Sequence, residues 1–128
     1  MITDIFADPV FHVQLDEDLK SLIDFCGKLK KGRMRSNVGG FQSDNLDKDL
    51  PELQSLISHI LFHGNSFCKE HLRLKNDIYL NNIWVNKNYY KDYNEQHVHL
   101  DSVLSGVFYV KTNPQSGDLK FFRNNSLD

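Results

Sequence analysis

The sequence predicts an α+β fold, in which two amphipathic helices precede a set of short strands. In the first half of the chain, apolar residues recur at helical spacing over two long segments. After Asn76, extended apolar runs alternate with turn-rich segments instead. Helices followed by strands indicate helices packed against one face of an antiparallel sheet.

Length and composition favour a single folded domain. The chain has 128 residues, of which 40% are hydrophobic and 12% aromatic, as in ordinary globular domains. We predict one domain, 1–128, with residues 1–75 mainly helical and residues 76–128 forming the strands. The net charge is −2 and no basic run is present, so a nucleic-acid partner is not expected.

The N-terminus and the cysteines bear on location. The first residues, MITDIFADPVF, lack the basic and apolar regions of a secretory signal, and no apolar run is long enough to span a membrane. Cys26 and Cys68 are far from any CxxC spacing. We interpret both as buried thiols in a reducing compartment, which predicts a cytoplasmic protein.

The first elements are predicted as a strand and a helix. Residues 10–15 (VFHVQL) form a short apolar run typical of a strand. From Asp16, a possible N-cap, the period becomes helical, and Gly32 is a plausible end of the helix. The apolar positions of this helix are Leu19, Leu22, Ile23, Cys26 and Leu29.

A polar connection, residues 33–47, contains the sequence GGFQS at residues 39–43. Two consecutive glycines indicate a sharp bend or a close approach of the backbone to another group. The connection is interpreted either as a surface loop or as a loop that folds over a site.

The second helix is predicted to begin near Asp49 and Pro51 and to extend to about Leu72. Gly64 lies on its packed side, where a close approach of another segment would explain it. His59 and His63 are four residues apart on this helix, but without a Glu between them or a third ligand they are interpreted, with His71, as ordinary surface residues. The apolar positions are Leu53, Leu56, Ile57, Ile60, Leu61 and Phe67.

Four strands are predicted after Asn76. They are residues 77–86, 95–100, 103–111 and 118–122, and the turn-rich segments 87–94 (KNYYKDYN) and 112–117 (TNPQSG) separate several of them.

The densest cluster of metal-ligand residue types is His97-Val98-His99-Leu100-Asp101. In a strand, side chains at i and i+2 share a face, with Cα atoms roughly 6.5 Å apart. Residues i and i+4 are too far apart for one ion unless the strand breaks. The geometry therefore allows His97 with His99, or His99 with Asp101 as an HxD unit of the kind found in two-histidine, one-carboxylate iron sites.

The surrounding blocks resemble a known family. The sequence NIWVN, then HVH, SVLSGVFYV and SGDLKFF, together with GGFQS upstream, is similar to the 2-oxoglutarate–Fe(II) oxygenase family of marine bacteria and their phages. The resemblance covers most of the chain from about Gly39. It implies a prolyl-hydroxylase-like jelly roll, so the strands would form part of a double-stranded β-helix, cupin-like in architecture, with the N-terminal helices packed on it.

The resemblance implies an oxidoreductase, a dioxygenase that uses Fe(II) as cofactor and 2-oxoglutarate as co-substrate. His97 matches the first iron ligand of the family, and His99 occupies a position where the wider group has Asp. The metal ligands are thus predicted among His97, His99 and Asp101, with His97 and His99 favoured. Trp84, Asn86 and Tyr109 are predicted to line the co-substrate pocket.

The chain departs from the family pattern beyond these blocks. Oxygenases of this type need a distal His ligand and a basic residue that pairs with 2-oxoglutarate, and the only Arg after the motif, Arg123, comes too early. We therefore expect a C-terminally truncated oxygenase.

Two other functions are alternatives to the oxygenase. One is a catalytically incomplete module that binds metal or protein, with a homodimer expected through the exposed edge of strand 118–122. The other is a zinc hydrolase, disfavoured because no HExxH sequence is present.

Overall fold

The structure, a computed structural model, describes residues 8–122. It has two helices and two small antiparallel sheets, which confirms the α+β class. The jelly roll stays a prediction. In chain order the elements are α1 (Leu19–Lys28), β1 (Asn37–Val38), β2 (Phe41–Gln42), a 3₁₀ turn (Pro51–Leu53), α2 (Gln54–Glu70), β3 (Asn86–Lys87) and β4 (Tyr93–Asn94).

Helix α1 begins at Leu19 because Asp18, rather than the predicted Asp16, caps it. The Asp18 carboxylate accepts hydrogen bonds from the Ser21 backbone N–H (3.1 Å) and from the Ser21 hydroxyl (2.7 Å). These bonds favour the charged carboxylate and lower the pKa of Asp18. The helix ends at Lys28, before the predicted Gly32.

Helix α2 follows the predicted pattern closely. Pro51 opens the 3₁₀ turn, whose N-cap is Leu50, and the helix then continues to Glu70. Gly64 does lie on the packed side, since a Cβ there would come 2.9 Å from Ile78 Cδ1. The apolar faces of the two helices meet in a cluster formed by Leu22, Leu53, Leu56 and Ile57.

The predicted strand 10–15 is wrong. These residues form no regular element, and Phe11 among them packs against α2. The ring of Phe11 lies 5.5 Å from that of Phe67, between centroids, and Glu17 Oε1 lies 2.6 Å from His59 Nδ1. An apolar run becomes a strand only where another strand supplies a hydrogen-bonded ladder, and none does so here.

A paired ribbon links residues 36–46 to residues 83–95. Strand β1 pairs with β4 and β2 pairs with β3, both antiparallel. Backbone bonds extend the pairing on both sides, from Glu95 N–H to Ser36 O (2.7 Å), from Ser43 N–H to Val85 O (2.9 Å) and from Leu46 N–H to Ile83 O (2.9 Å). The polar connection 33–47 is therefore no plain surface loop, because much of it forms one side of this ribbon.

The four strands predicted after Asn76 are mostly wrong. Of residues 77–86 only Asn86 belongs to a strand, and residues 95–100, 103–111 and 118–122 contain none. Residues 96–122 have a single backbone–backbone hydrogen bond to another described residue, from Ser116 N–H to Asn113 O (3.0 Å). That bond lies in the predicted 112–117 turn, which is confirmed. The other turn segment, 87–94, contains a turn but also supplies β3 in part and β4.

Two further findings concern membranes and thiols. Across residues 8–122, every helix falls short of the length and apolar character needed to cross a bilayer. Both cysteines are free. Cys68 is fully buried, as predicted, whereas Cys26 is only half-buried.

Candidate metal centre

The ribbon carries the chain directly into the histidine pair. After β4, the bond from Glu95 N–H to Ser36 O fixes the last residue of the ribbon. His97 and His99 follow within four residues, and both side chains are exposed. The pair therefore projects from a fixed point on the ribbon into an open part of the molecule.

The two imidazoles are direct neighbours. Their ring centroids lie 4.9 Å apart, with an angle of 77° between the ring planes. His97 Nδ1 is 2.7 Å from the Glu95 carbonyl oxygen. A carbonyl only accepts, so Nδ1 donates the proton in this contact and the lone pair of the neutral ring lies on Nε2. A backbone carbonyl of this kind commonly orients a metal-binding histidine.

Trp84 packs against the second histidine. The centroids of the Trp84 and His99 rings are 5.8 Å apart. Trp84 is half-buried, and its neighbour Val85 is held on both sides, because Val85 N–H donates to Ser43 Oγ (3.0 Å) and Ser43 N–H donates to Val85 O. The ribbon thus places one predicted pocket residue beside the pair.

The remaining predicted residues lie apart from the imidazoles. Asp101 is exposed in a turn just after His99, and residues 8–122 contain no group of three His, Cys, Asp or Glu side chains able to hold a metal ion. Asn86, in β3, accepts a long hydrogen bond (3.5 Å) from Asn37 Nδ2. Tyr109 is 57% exposed. Neither Asn86 nor Tyr109 bonds to an imidazole.

The helix histidines have other neighbours. His59 bonds to Glu17, while the His63 ring packs against Phe62, with a centroid separation of 5.1 Å. His71 packs against Phe67 at 5.2 Å. His59 and His63 are half-buried rather than fully at the surface. Arg123, the only Arg after the histidine motif, lies outside the described residues.

The arrangement fits part of an iron site. His97 and His99 are nitrogen ligands of the type that Fe(II) accepts. A two-histidine, one-carboxylate site needs three ligands on one face, and residues 8–122 bring two together. The described part of the chain thus supplies a pair and leaves the third position to another group.

Three buried polar residues on the ribbon, Asn37, Gln42 and Ser43, were not predicted as functional. Asn37 and Gln42 are each 8% exposed. The Asn37 Oδ1 atom is sealed from solvent and has no hydrogen-bond partner in the described structure. Gln42 belongs to the GGFQS block, whereas no signal in the sequence separates Asn37 from the other asparagines of this Asn-rich chain.

One comparison with known proteins gives a match to a family model over part of the chain. Residues 82–127 match the family model described as "Putative 2OG-Fe(II) oxygenase". The match includes His97, His99 and every other predicted site residue, but it begins well after the GGFQS block that the resemblance included. Neither the curated proteins nor the solved structures gave a match to the chain.

Proposed function

We propose that the protein is an Fe(II)- and 2-oxoglutarate-dependent dioxygenase. The match of residues 82–127 to an oxygenase family carries this proposal. Support comes from the adjacent imidazoles of His97 and His99, which lie inside the matched segment. We also propose the cytoplasm as its location, on the basis of two free cysteines.

In this proposal His97 and His99 hold the iron, and His97 uses its Nε2 atom. The Glu95 carbonyl fixes the orientation of the His97 ring, and Trp84 covers one side of His99. Asp101 is the alternative partner of His99, and Asn86 and Tyr109 are proposed to contact the co-substrate. When bound, iron and 2-oxoglutarate would allow O₂ to oxidise a substrate, and succinate and CO₂ would be released.

The third ligand and the jelly roll belong to the same proposal. Because residues 8–122 bring two ligands together, we propose that the third comes from outside this range. The segments 95–100, 103–111 and 118–122 are proposed as strands of that jelly roll.

Production of succinate tests the proposal. The full chain is incubated with Fe(II), 2-oxoglutarate and O₂, and succinate is measured by mass spectrometry. We expect succinate from the unmodified chain and none above background from His97→Ala or His99→Ala. His63→Ala is the matched control and should retain the activity. Absence of succinate from a chain shown to carry iron would contradict catalysis by this chain.

A second candidate is a binding module that pairs with another copy of itself. Residues 96–122 leave most backbone N–H and C=O groups without backbone partners in the described structure, and such groups can pair with another chain. We propose that segment 118–122 forms the paired edge of such a homodimer. Light scattering tests this, since a strictly monomeric folded chain at high concentration would contradict it.

A further inference from the structure

A polar cavity lies on one side of the ribbon, apart from the histidine pair. Its volume is about 290 Å³, and the chain builds it by folding residues 32–35 back onto residues 42–45. Gly32 N–H donates to Gln42 O (2.7 Å), and Arg33 N–H donates to Asp44 Oδ1 (3.1 Å). We call it the arginine cavity, and its lining residues are Arg33, Arg35, Gln42, Ser43, Asp44 and Asn45.

The cavity carries two guanidinium groups that have no bonded partner in the described part of the chain. Within residues 8–122, neither the Arg33 nor the Arg35 guanidinium takes part in an ion pair or a hydrogen bond. The chain has four arginines against eleven lysines, and half of the arginines line this one cavity. A guanidinium stays charged at all ordinary pH values and presents a planar fork of donors that matches carboxylate and phosphate oxygens.

Gln42 adds a buried polar group without a partner. Only 8% of the residue is exposed, yet its side-chain amide makes no hydrogen bond to the described part of the chain. Buried amides are normally hydrogen-bonded. The sealed, unpartnered side-chain atom in this region is Asn37 Oδ1, not an atom of Gln42. The Gln42 amide is therefore still accessible to solvent, and it is accessible through the cavity that Gln42 lines.

The other lining groups are partly engaged. The Ser43 hydroxyl donates to Asp44 O (2.8 Å) and accepts from Val85 N–H, so it is not free to bind a ligand. The Asp44 carboxylate is held by Arg33 N–H and offsets one positive charge. Two arginines against one aspartate leave the cavity with a net positive charge and with amide donors.

We propose that the arginine cavity is a binding site for a small oxyanion that carries a carboxylate or phosphate group. Arg33 and Arg35 would supply the charge and the paired donors, and the Gln42 NH₂ group would donate a further hydrogen bond. The volume is at the lower end of ligand sites, which run from about 300 Å³ upwards, so the ligand is small. The site uses none of the proposed iron ligands and stands independently of the dioxygenase proposal.

Calorimetric titration of the full chain tests the site. Succinate and inorganic phosphate are titrated separately, each against sodium chloride at the same ionic strength, and the tighter ligand identifies the class. We expect saturable binding of at least one. Arg33→Gln combined with Arg35→Gln should weaken it by about tenfold or more, the size of losing charge-assisted hydrogen bonds. Circular dichroism verifies that each variant is folded.

Two further variants distinguish binding at a specific site from general attraction of an anion to positive charge. Lys30→Gln combined with Lys31→Gln removes the same charge from neighbours that do not line the cavity and should change affinity by less than about twofold. Asp44→Asn keeps an oxygen acceptor for Arg33 N–H, removes the negative charge, and should tighten binding by roughly two- to fivefold. Three results would each overturn the proposal. They are the absence of saturable binding of either anion, equal losses of affinity in the arginine and lysine variants, and weaker binding by Asp44→Asn.

Discussion

The two helices and residues 96–122 differ in how deeply their side chains are buried. Every buried hydrophobic residue of the described chain lies between Leu22 and Cys68, whereas residues 96–122 contain no buried residue. Large apolar side chains such as Leu100, 89% exposed, and Val98, 74% exposed, face solvent there. Phe108 and Val110 do pack against the core, with Tyr109 exposed between them. The helices therefore carry most of the stability, and the candidate site lies on the least buried part.

The ribbon of residues 36–46 and 83–95 connects these two regions. It places Trp84 against His99, and it attaches to the end of α1, because Lys87 Nζ donates to Cys26 O (3.2 Å) and lies 3.9 Å from the centroid of the Phe41 ring. A cation suits the C-terminal end of a helix. The ribbon thus links the site to the core, but the His97 and His99 side chains are exposed, so site variants and core variants should have separate effects.

The largest expected contrast lies between two leucines. Leu56 is 5% exposed in the core and Leu100 is 89% exposed. Leu56→Ala should lower the free energy of unfolding by about 2–5 kcal/mol, because it removes buried methyl groups and leaves a cavity. Leu100→Ala should change it by less than about 0.5 kcal/mol. Denaturant unfolding measures both, and similar losses would show that residues 96–122 are packed as tightly as the helices.

A glycine pair gives a smaller contrast. Gly39 has a φ of +72° and faces the Asp92 carboxylate, which an added Cβ would meet, while Gly106 has open space around it. Gly39→Ala should cost about 1–2 kcal/mol from the left-handed backbone alone, and Gly106→Ala should lie close to zero. Thermal unfolding measures both. An equal effect would mean that the ribbon does not need its tight bend.

The smallest expected effect is the pH dependence of the α1 cap. Hydrogen bonds from Ser21 lower the pKa of Asp18 below its ordinary 3.8. A lowered folded-state pKa gives stability that is present above the unfolded pKa and is lost as pH falls through the folded one. Asp18→Asn keeps a capping side chain without this titration. Its melting temperature should therefore fall less than that of the unmodified chain between neutral pH and about pH 3.

An unchanged acid response of Asp18→Asn would show that the cap contributes nothing to the pH dependence. Asp18→Ala completes the set, since it removes the cap at every pH and should melt at a lower temperature even at neutral pH.

The sequence predicts the local features of this chain well, and it predicts the pairing of segments distant in sequence poorly. The period of Leu53, Leu56 and Ile57 is enough to predict α2, because a helix bonds within itself. The spacing of His97 and His99 likewise predicts neighbouring rings. Strands depend on a partner distant in sequence, and so the ribbon was missed and residues 10–15 and 103–111 were assigned as strands. Gln42 and Asn37 were buried by that same pairing, which no local pattern reveals.

Metal binding by the histidine pair tests the central claim most directly. Fe(II) is titrated anaerobically into the full chain, and bound iron is counted together with the melting temperature. We predict that His97→Ala and His99→Ala each lose the bound iron with little change in melting temperature, because both side chains are exposed, and that His63→Ala retains it. Iron binding that survives the loss of both His97 and His99, or that disappears in His63→Ala, would contradict the claim.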